Sequence, residues 1–491
     1  MKNLKKIFFS SLLVLISSLT TIFLINVALE IAFRAEKKEE IYRDLLAVKY
    51  GKRESTEVER LEKAAAKRGI KYDRRHHTQY IEDERKRGER ITKSIGPQYY
   101  ANKKVFDQWR EPYFPPGDAS GIRVVLSNEN GYFADFFSDR HGFNNPDDVW
   151  EKIEKGETID VVLVGDSYAQ GYSVEPHQNI AGVLRSKNLS VLNLGRGGNG
   201  PLSSLAAYIE YGKNVKARFV VYLHFDANDL RDISWERQSD LLMRYVTDAD
   251  FEQGLRKRDQ HEIDKDILAL WEVVSRYEKR KLEEFSASAG TDAGAMGEVK
   301  NMPDDDIRDL ASEVLSAREA DNVRYKNQNP THRITTLYHI RMLLKPAIQK
   351  SLPCNGNWRR PDTEALSRNF SILESVITRM SGIATKDGGK FLFVSNPDRG
   401  ILFGSAKRST DGRICTIHDY KPLLLSALRG KGINVLNFEP VLKAVDDKSA
   451  LFPLGGPKEL GIVMGHFNPR GYALFADTIF NKLNEIGKGQ N

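Results

Sequence analysis

Ser167 has the surroundings of a nucleophile. It follows Gly165-Asp166 at the end of the apolar run 159–164 and precedes a stretch with helical periodicity, 178–184. Its hydroxyl is therefore expected at the carboxyl edge of a buried strand. A serine at neutral pH needs a base to take its proton, and the block Gly465-His466-Phe467-Asn468-Pro469-Arg470-Gly471 nominates His466. The charge that forms on an attacked carbonyl oxygen needs fixed donors. Three candidates are the Ser167 N–H, the Gly198 N–H at the end of Asn193-Leu194-Gly195-Arg196-Gly197-Gly198, and the Asn228 amide in Asp226-Ala227-Asn228-Asp229. Gly198 suits the role because a residue without Cβ lets the backbone come close to a substrate. Taken singly, each block has a plainer reading: Gly-Asp-Ser caps helices, Asn-Asp closes strands, and Asn468-Pro469 opens an ordinary helix. The glycine cluster 195–200 lacks the Lys-Ser/Thr ending of a phosphate loop and a suitably spaced ribose-binding acid, so no nucleotide or other cofactor is expected.

Each block stands at the end of an apolar run, the second after 190–192 and the third after 219–223. Further strands are expected over 390–395 and 433–438, and helices over 363–383, 419–428 and 472–483. Strands that alternate with helices imply parallel βαβ units, hence the α/β class. A short antiparallel pair is expected earlier, over 122–126 and 132–137.

In this order the four blocks resemble the SGNH (GDSL-type) serine hydrolase superfamily, over residues 159–231 and 389–486. The resemblance implies a three-layer α/β/α sandwich with a parallel flavodoxin-like sheet. It implies Ser167 as nucleophile, His466 as base, and Ser167, Gly198 and Asn228 as the oxyanion hole, with Asp166 structural. Members of the family commonly carry the triad acid two or three residues before the histidine, where this chain has Met464 and Val463. Either a Ser-His dyad works here, oriented by a backbone carbonyl or by a distant carboxylate such as Asp446 or Asp447, or the site is enfeebled. The run 138–146 resembles the segment ahead of the nucleophile in membrane-anchored bacterial members, and His141 within it is a second candidate base.

The other end of the chain suggests a location. Residues 7–33 are long and apolar enough to span a membrane and lack a good small-x-small cleavage site, which favours an uncleaved anchor. Lys2, Lys5 and Lys6 ahead of it favour a cytoplasmic tail, 1–6, and a translocated remainder. The expectation is a single-pass protein of a bacterial inner membrane with its C-terminal domain in the periplasm. Residues 34–96 read as a charged helical stalk, exposed over 85–93, and 97–233 with 361–491 read as the hydrolase-like domain. Between these two parts, 234–360 read as a mainly helical insertion capping the site. Its first helix, 263–285, carries the apolar stripe Ile267, Leu268, Leu270, Trp271 and Val274, and the polar stretch 286–297 separates it from helical portions at 304–318 and 334–351.

Two cysteines, Cys354 and Cys415, fall on the translocated side, where a disulfide between them is expected, with two buried thiols as the alternative. Neither lies in a zinc-binding spacing, so no metal is expected. The 491 residues are 40% hydrophobic and 29% charged with a net charge of +7, enough for one sizeable core and an accessory region. The positive excess is scattered, which argues against nucleic acid and suits anionic headgroups, an acidic polysaccharide or simply a solvated surface. The expected function is an esterase or O-acetyltransferase acting through an acyl-enzyme on a cell-envelope polysaccharide. The alternatives are a lipid or thioester hydrolase, and a catalytically weak carbohydrate-binding or scaffold protein of an envelope-assembly complex.

Overall fold

The computed structural model describes residues 2–49, 57–101, 109, 111–298, 303–320, 330–340, 363–404, 417–460 and 465–488. The chain is mixed α/β and divides into two compact units: Met1–Arg60 with Glu278–Arg359, and Leu61–Tyr277 with Arg360–Asn491.

The second unit is built on a five-stranded parallel sheet: β4 (Ile159–Gly165), β5 (Val191–Asn193), β6 (Ala217–Phe225), β7 (Lys390–Asn396) and β8 (Asn434–Asn437), in the order β5-β4-β6-β7-β8. Counted from β4 this is 2-1-3-4-5, the order of doubly wound sheets with one reversal, here between β4 and β6. The strands are near-continuous apolar runs because both faces are covered. Val162, Val164, Val220, Tyr222 and Phe393 enter one apolar cluster, with Leu202 and Leu205 of helix Pro201–Ala207 and Val376 and Met380 of helix Thr363–Lys386. The alternate residues Val161, Leu163, Val221, Leu223 and Val394 enter the other, with Ile180 and Leu184 of helix Ile180–Ser186 and Tyr472, Phe475 and Ile479 of helix Pro469–Lys488.

A smaller sheet precedes it in sequence, formed by β1 (Ile91–Lys93), β2 (Arg123–Val125) and β3 (Asp135–Phe137), with β2 and β3 antiparallel and β1 parallel to β2. The antiparallel pair is the one the sequence indicates. Residues 85–90 are exposed as expected, but β1 corrects the end of that range: Ile91 and Thr92 are each 1% exposed. From Leu61 onward the supposed stalk belongs to the unit that carries the sheets.

In the first unit the N-terminal helix runs from Lys2 to Lys49 and includes a stretch long and apolar enough to cross a membrane, Phe9–Arg43. Helix Asp304–Ala320 packs on it, and its Ile307 and Ala311 are fully buried. The residues expected as one insertion thus divide, those up to Tyr277 in the sheet-bearing unit and those from Glu278 with the N-terminal helix. The polar stretch 286–297 does not interrupt the preceding helix, which extends over Gln260–Glu298. Cys354, Cys415, Val463, Met464 and most of the expected helix 334–351 lie outside the described residues.

Candidate active site

Ser167 is the first residue of helix Ser167–Gln170, at the carboxyl end of β4. Asp166 caps that helix, its Oδ1 accepting the Tyr168 N–H at 2.9 Å, which is the structural role the resemblance implies. Gly165 allows the sharp exit: at φ +154°, a Cβ there would meet the Leu223 carbonyl oxygen at 2.8 Å. Asn228 follows the end of β6, the strand beside β4. The nucleophile and the oxyanion candidate therefore flank the reversal in strand order, where open α/β sheets place their ligands.

His466 meets the serine. Its Nε2 stands 2.7 Å from Ser167 Oγ, and its ring packs between Tyr168 and Tyr172, with centroids 4.9 and 4.8 Å away. Behind it Asn468 anchors the turn, donating through Nδ2 to the carbonyls of Ala450 and Phe452 and accepting the Gly471 N–H as helix Pro469–Lys488 begins.

The carboxylate that faces His466 Nδ1 is Glu129, a candidate orienting acid that sequence reasoning missed. Glu129 Oε1 lies 3.0 Å from His466 Nδ1 and Oε2 3.2 Å from it; Oε2 also accepts the His466 N–H and the Ser173 hydroxyl, the latter at 2.6 Å. Glu129 rides on the β2–β3 hairpin, in a turn closed by Gly131 N–H to the Asn128 carbonyl at 2.8 Å. Asn130 ties the turn down by donating to the Ser173 carbonyl at 2.7 Å. Gly465 completes the approach: a Cβ there would come within 2.6 Å of Glu129 Oε2. Burial would raise the Glu129 carboxyl, but the charge of His466 and the hydrogen bonds from His466 and Ser173 prevail and bring it down to about 2. Glu129 thus stays ionised across the working pH range.

Asp446 and Asp447, the acids expected from the sequence, do not take this part. Both are exposed, Asp447 pairs with Lys458 at 3.5 Å, and Glu129 already occupies His466 Nδ1. His141 is also displaced as a base. It packs against Trp150 and Tyr211, 4.6 and 5.2 Å between centroids, with Nδ1 3.4 Å from Gln260 Oε1, and burial lowers its pKa. The run around it is a clasp. Asp139 accepts from the His141 and Phe143 N–H groups, Asn145 Nδ2 and Trp150 Nε1, while Asn144 reaches the Gln170 carbonyl and Asn145 the Asn193 carbonyl.

The oxyanion candidates are held differently. Ser167 N–H, at the first helical position, has no acceptor within its helix. Gly198 takes the left-handed φ of +82°, and its N–H has no internal acceptor among the described residues. Gln170 fixes this loop by accepting the Gly197 N–H at 2.7 Å, and its own amide reaches Ser94 and Asp118. Arg196, 1% exposed, is locked beneath it by Asp118 at 3.2 Å, the Pro115 and Ile95 carbonyls and the Tyr100 hydroxyl.

Asn228 donates one N–H to Asp232 Oδ2 at 2.9 Å, one turn along helix Asp229–Glu236. Burial, reinforced by Asp229 and Glu236 on the same helix and opposed by Arg231, raises the Asp232 carboxyl to about 7. Burial likewise raises Glu236 to about 7 and pushes Asp166 well up. An ionised Asp232 turns the amide so that its NH2 end is the polar face; a protonated one can donate instead to Asn228 Oδ1, which is buried without a partner. For an esterase at this site, the Asp232 titration predicts a rate that falls as pH drops through about 7. Asp232→Asn should remove that component of the pH–rate profile, and superimposable profiles for the two proteins contradict the coupling.

These carboxyls also act on stability. The folded values of Asp232 and Glu236 are raised above the usual carboxylate range, so the native state binds the extra protons. Their contribution is full below about 4 and is lost as pH rises through about 7. Urea midpoints for wild type and Asp232→Asn should accordingly converge at acid pH and separate at pH 8, the variant being the more resistant there.

Compared with known protein families and with curated proteins, the chain matches no family model and no relative.

Proposed function

We propose that the protein is a serine esterase or O-acyltransferase of SGNH type, acting through an acyl-enzyme on ester groups of a cell-envelope polysaccharide. The observation that carries the reading is the unbroken chain Ser167 Oγ, His466 Nε2, His466 Nδ1, Glu129, at 2.7 and 3.0 Å. Ser167 Oγ attacks the acyl carbonyl as its proton passes to His466 Nε2. Glu129 accepts the Nδ1–H, keeping Nε2 free as base, and then stabilises the imidazolium. The oxyanion is met by the Ser167 and Gly198 N–H groups and by the N–H of Asn228 not given to Asp232. The imidazolium returns its proton to the leaving alcohol, and water or a sugar hydroxyl takes the acyl group in the second half-reaction. The strand order and the two covered sheet faces fit a three-layer α/β/α sandwich of flavodoxin-like topology.

The scaffold alternative rests on the lack of an acid two or three residues before His466; Glu129, 3.0 Å from Nδ1, supports the enzyme reading over it. The polysaccharide substrate rests on the resemblance and on a tethered, basic chain. For the location we propose an inner-membrane anchor with the sheets in the periplasm, supported by the apolar N-terminal helix behind Lys2, Lys5 and Lys6. The test is labelling with a fluorophosphonate: a single adduct should map to Ser167, and an intact, folded protein that takes up no reagent rules out the enzyme reading.

A further inference from the structure

The N-terminal helix carries polar residues on one face at the outer end of its apolar stretch, and they are not bare. Asn26 and Glu30 are 0% and 2% exposed. Arg333 Nε and Nη2 grip the Glu30 carboxylate at 2.8 and 2.6 Å, and His339 Nε2 lies 2.7 Å from Glu30 Oε2. Asn26 donates to the carbonyls of Arg333 and Ile334, both at 3.2 Å, and accepts the His339 N–H at 3.1 Å. One turn beyond Glu30, Phe33 lies under the Arg333 guanidinium and against the His339 ring, at 4.9 and 5.1 Å. Asn26, Glu30 and Phe33, spaced four and three apart, form one docking stripe.

Its height along the helix matters. Arg308, on helix Asp304–Ala320, meets Glu39 at 3.5 Å and lies over the Tyr42 ring. Arg333 meets Glu30, and the step from Glu39 back to Glu30 is about 14 Å along a helix. The Arg333 contact is therefore nearer the apolar stretch than the Arg308 contact. A hydrocarbon crossing of about 20 residues begun at Ile7 ends near Asn26. Asn26 and Glu30 then stand at the level of the outer headgroups, and so does whatever they hold.

We infer that residues 330–340, clamped by Asn26 and Glu30, form a second membrane contact lying in the outer headgroup layer against anionic lipid. The inference rests on the N-terminal helix being a membrane anchor. Three features fit the segment to that layer. The Arg333–Glu30 pair cancels its own charge where it is buried, each side chain being 3% exposed. Ile334, Leu337, Tyr338 and Ile340 supply apolar and amphipathic side chains, none of them fully buried by protein. In sequence, residues 322–361 hold seven Lys or Arg besides the paired Arg333, and no Asp or Glu, a bias drawn to anionic headgroups.

Photo-crosslinking of the full chain in nanodiscs of phosphatidylcholine and phosphatidylglycerol tests this. Benzoylphenylalanine is placed singly at Thr335, Tyr338, Leu19 within the span, and the exposed Thr247 of the sheet-bearing unit, with a fluorescent phospholipid as reporter. A lipid adduct at Thr335 or Tyr338 as well as Leu19, and none at Thr247, supports the inference. An adduct at Leu19 but at neither Thr335 nor Tyr338 overturns it and leaves the anchor standing. No adduct at Leu19 removes the anchor and the inference together. Glu30→Gln should lose the adduct at Thr335 or Tyr338 while keeping that at Leu19.

Discussion

Glu129→Gln should lower kcat by about 10⁴-fold, the loss expected when a triad acid is replaced by its amide, with little change in KM. Glu129 accepts the proton on His466 Nδ1, which leaves Nε2 unprotonated and facing Ser167 Oγ at 2.7 Å. A glutamine amide can present its N–H to Nδ1 instead, which moves the imidazole proton to Nε2 and leaves no base for the serine. Hydrolysis of a short-chain aryl acetate measures the effect. Asp446→Asn and Asp447→Asn should both leave the rate at the wild-type level, since both residues are exposed. A Glu129→Gln protein within tenfold of wild type would return the site to a dyad.

The largest effect on stability should come from Arg196→Met, at about 3–5 kcal/mol, the usual consequence of breaking a buried ion pair by removing one partner. The change strands Asp118, 2% exposed, and takes the donors away from the Pro115 and Ile95 carbonyls. Adding Asp118→Asn to Arg196→Met should recover part of the loss, because a neutral amide is cheaper to leave in an apolar site than a carboxylate. Urea unfolding followed by tryptophan fluorescence reads both. A Met variant with the wild-type midpoint means the pair is not the fastener its geometry describes.

The five parallel strands were legible because strands covered on both faces are written as unbroken apolar runs, such as Phe219-Val220-Val221-Tyr222-Leu223. Ser167 and His466 were legible together rather than singly: a Gly-Asp-Ser or an Asn-Pro alone reads as a helix start, and it is the order of the four blocks, each behind an apolar run, that sets them apart. Glu129 was hidden by its own surroundings. In Asn128-Glu129-Asn130-Gly131 a carboxylate reads as one more polar turn residue, and only the docking of the hairpin onto Ser173 and His466 gives it a role. The expected antiparallel pair, 122–126 and 132–137, implied a hairpin, but nothing local says what its tip touches. β1 was lost for another reason: three residues are too few to show alternation, and the charges around Ile91 resemble those of a solvated helix. Part of the charge in 61–90 is paired and half-buried, as Arg75 is with Asp73 and Asp83, which a count of charges does not reveal.

The acid and the base of this site are 337 residues apart along the chain. A nascent polypeptide that has released Glu129 and Ser167 still lacks its imidazole until the segment bearing His466 emerges, and a contact of such long sequence separation closes late in folding. On the proposed reading, in which the sheet-bearing unit crosses a membrane unfolded and Ser167 is the nucleophile, the serine would stay chemically silent during the crossing and become reactive only once that unit had assembled. Timing of activation would need no inhibitor or pro-segment; it is written into the order in which the three residues reach one another.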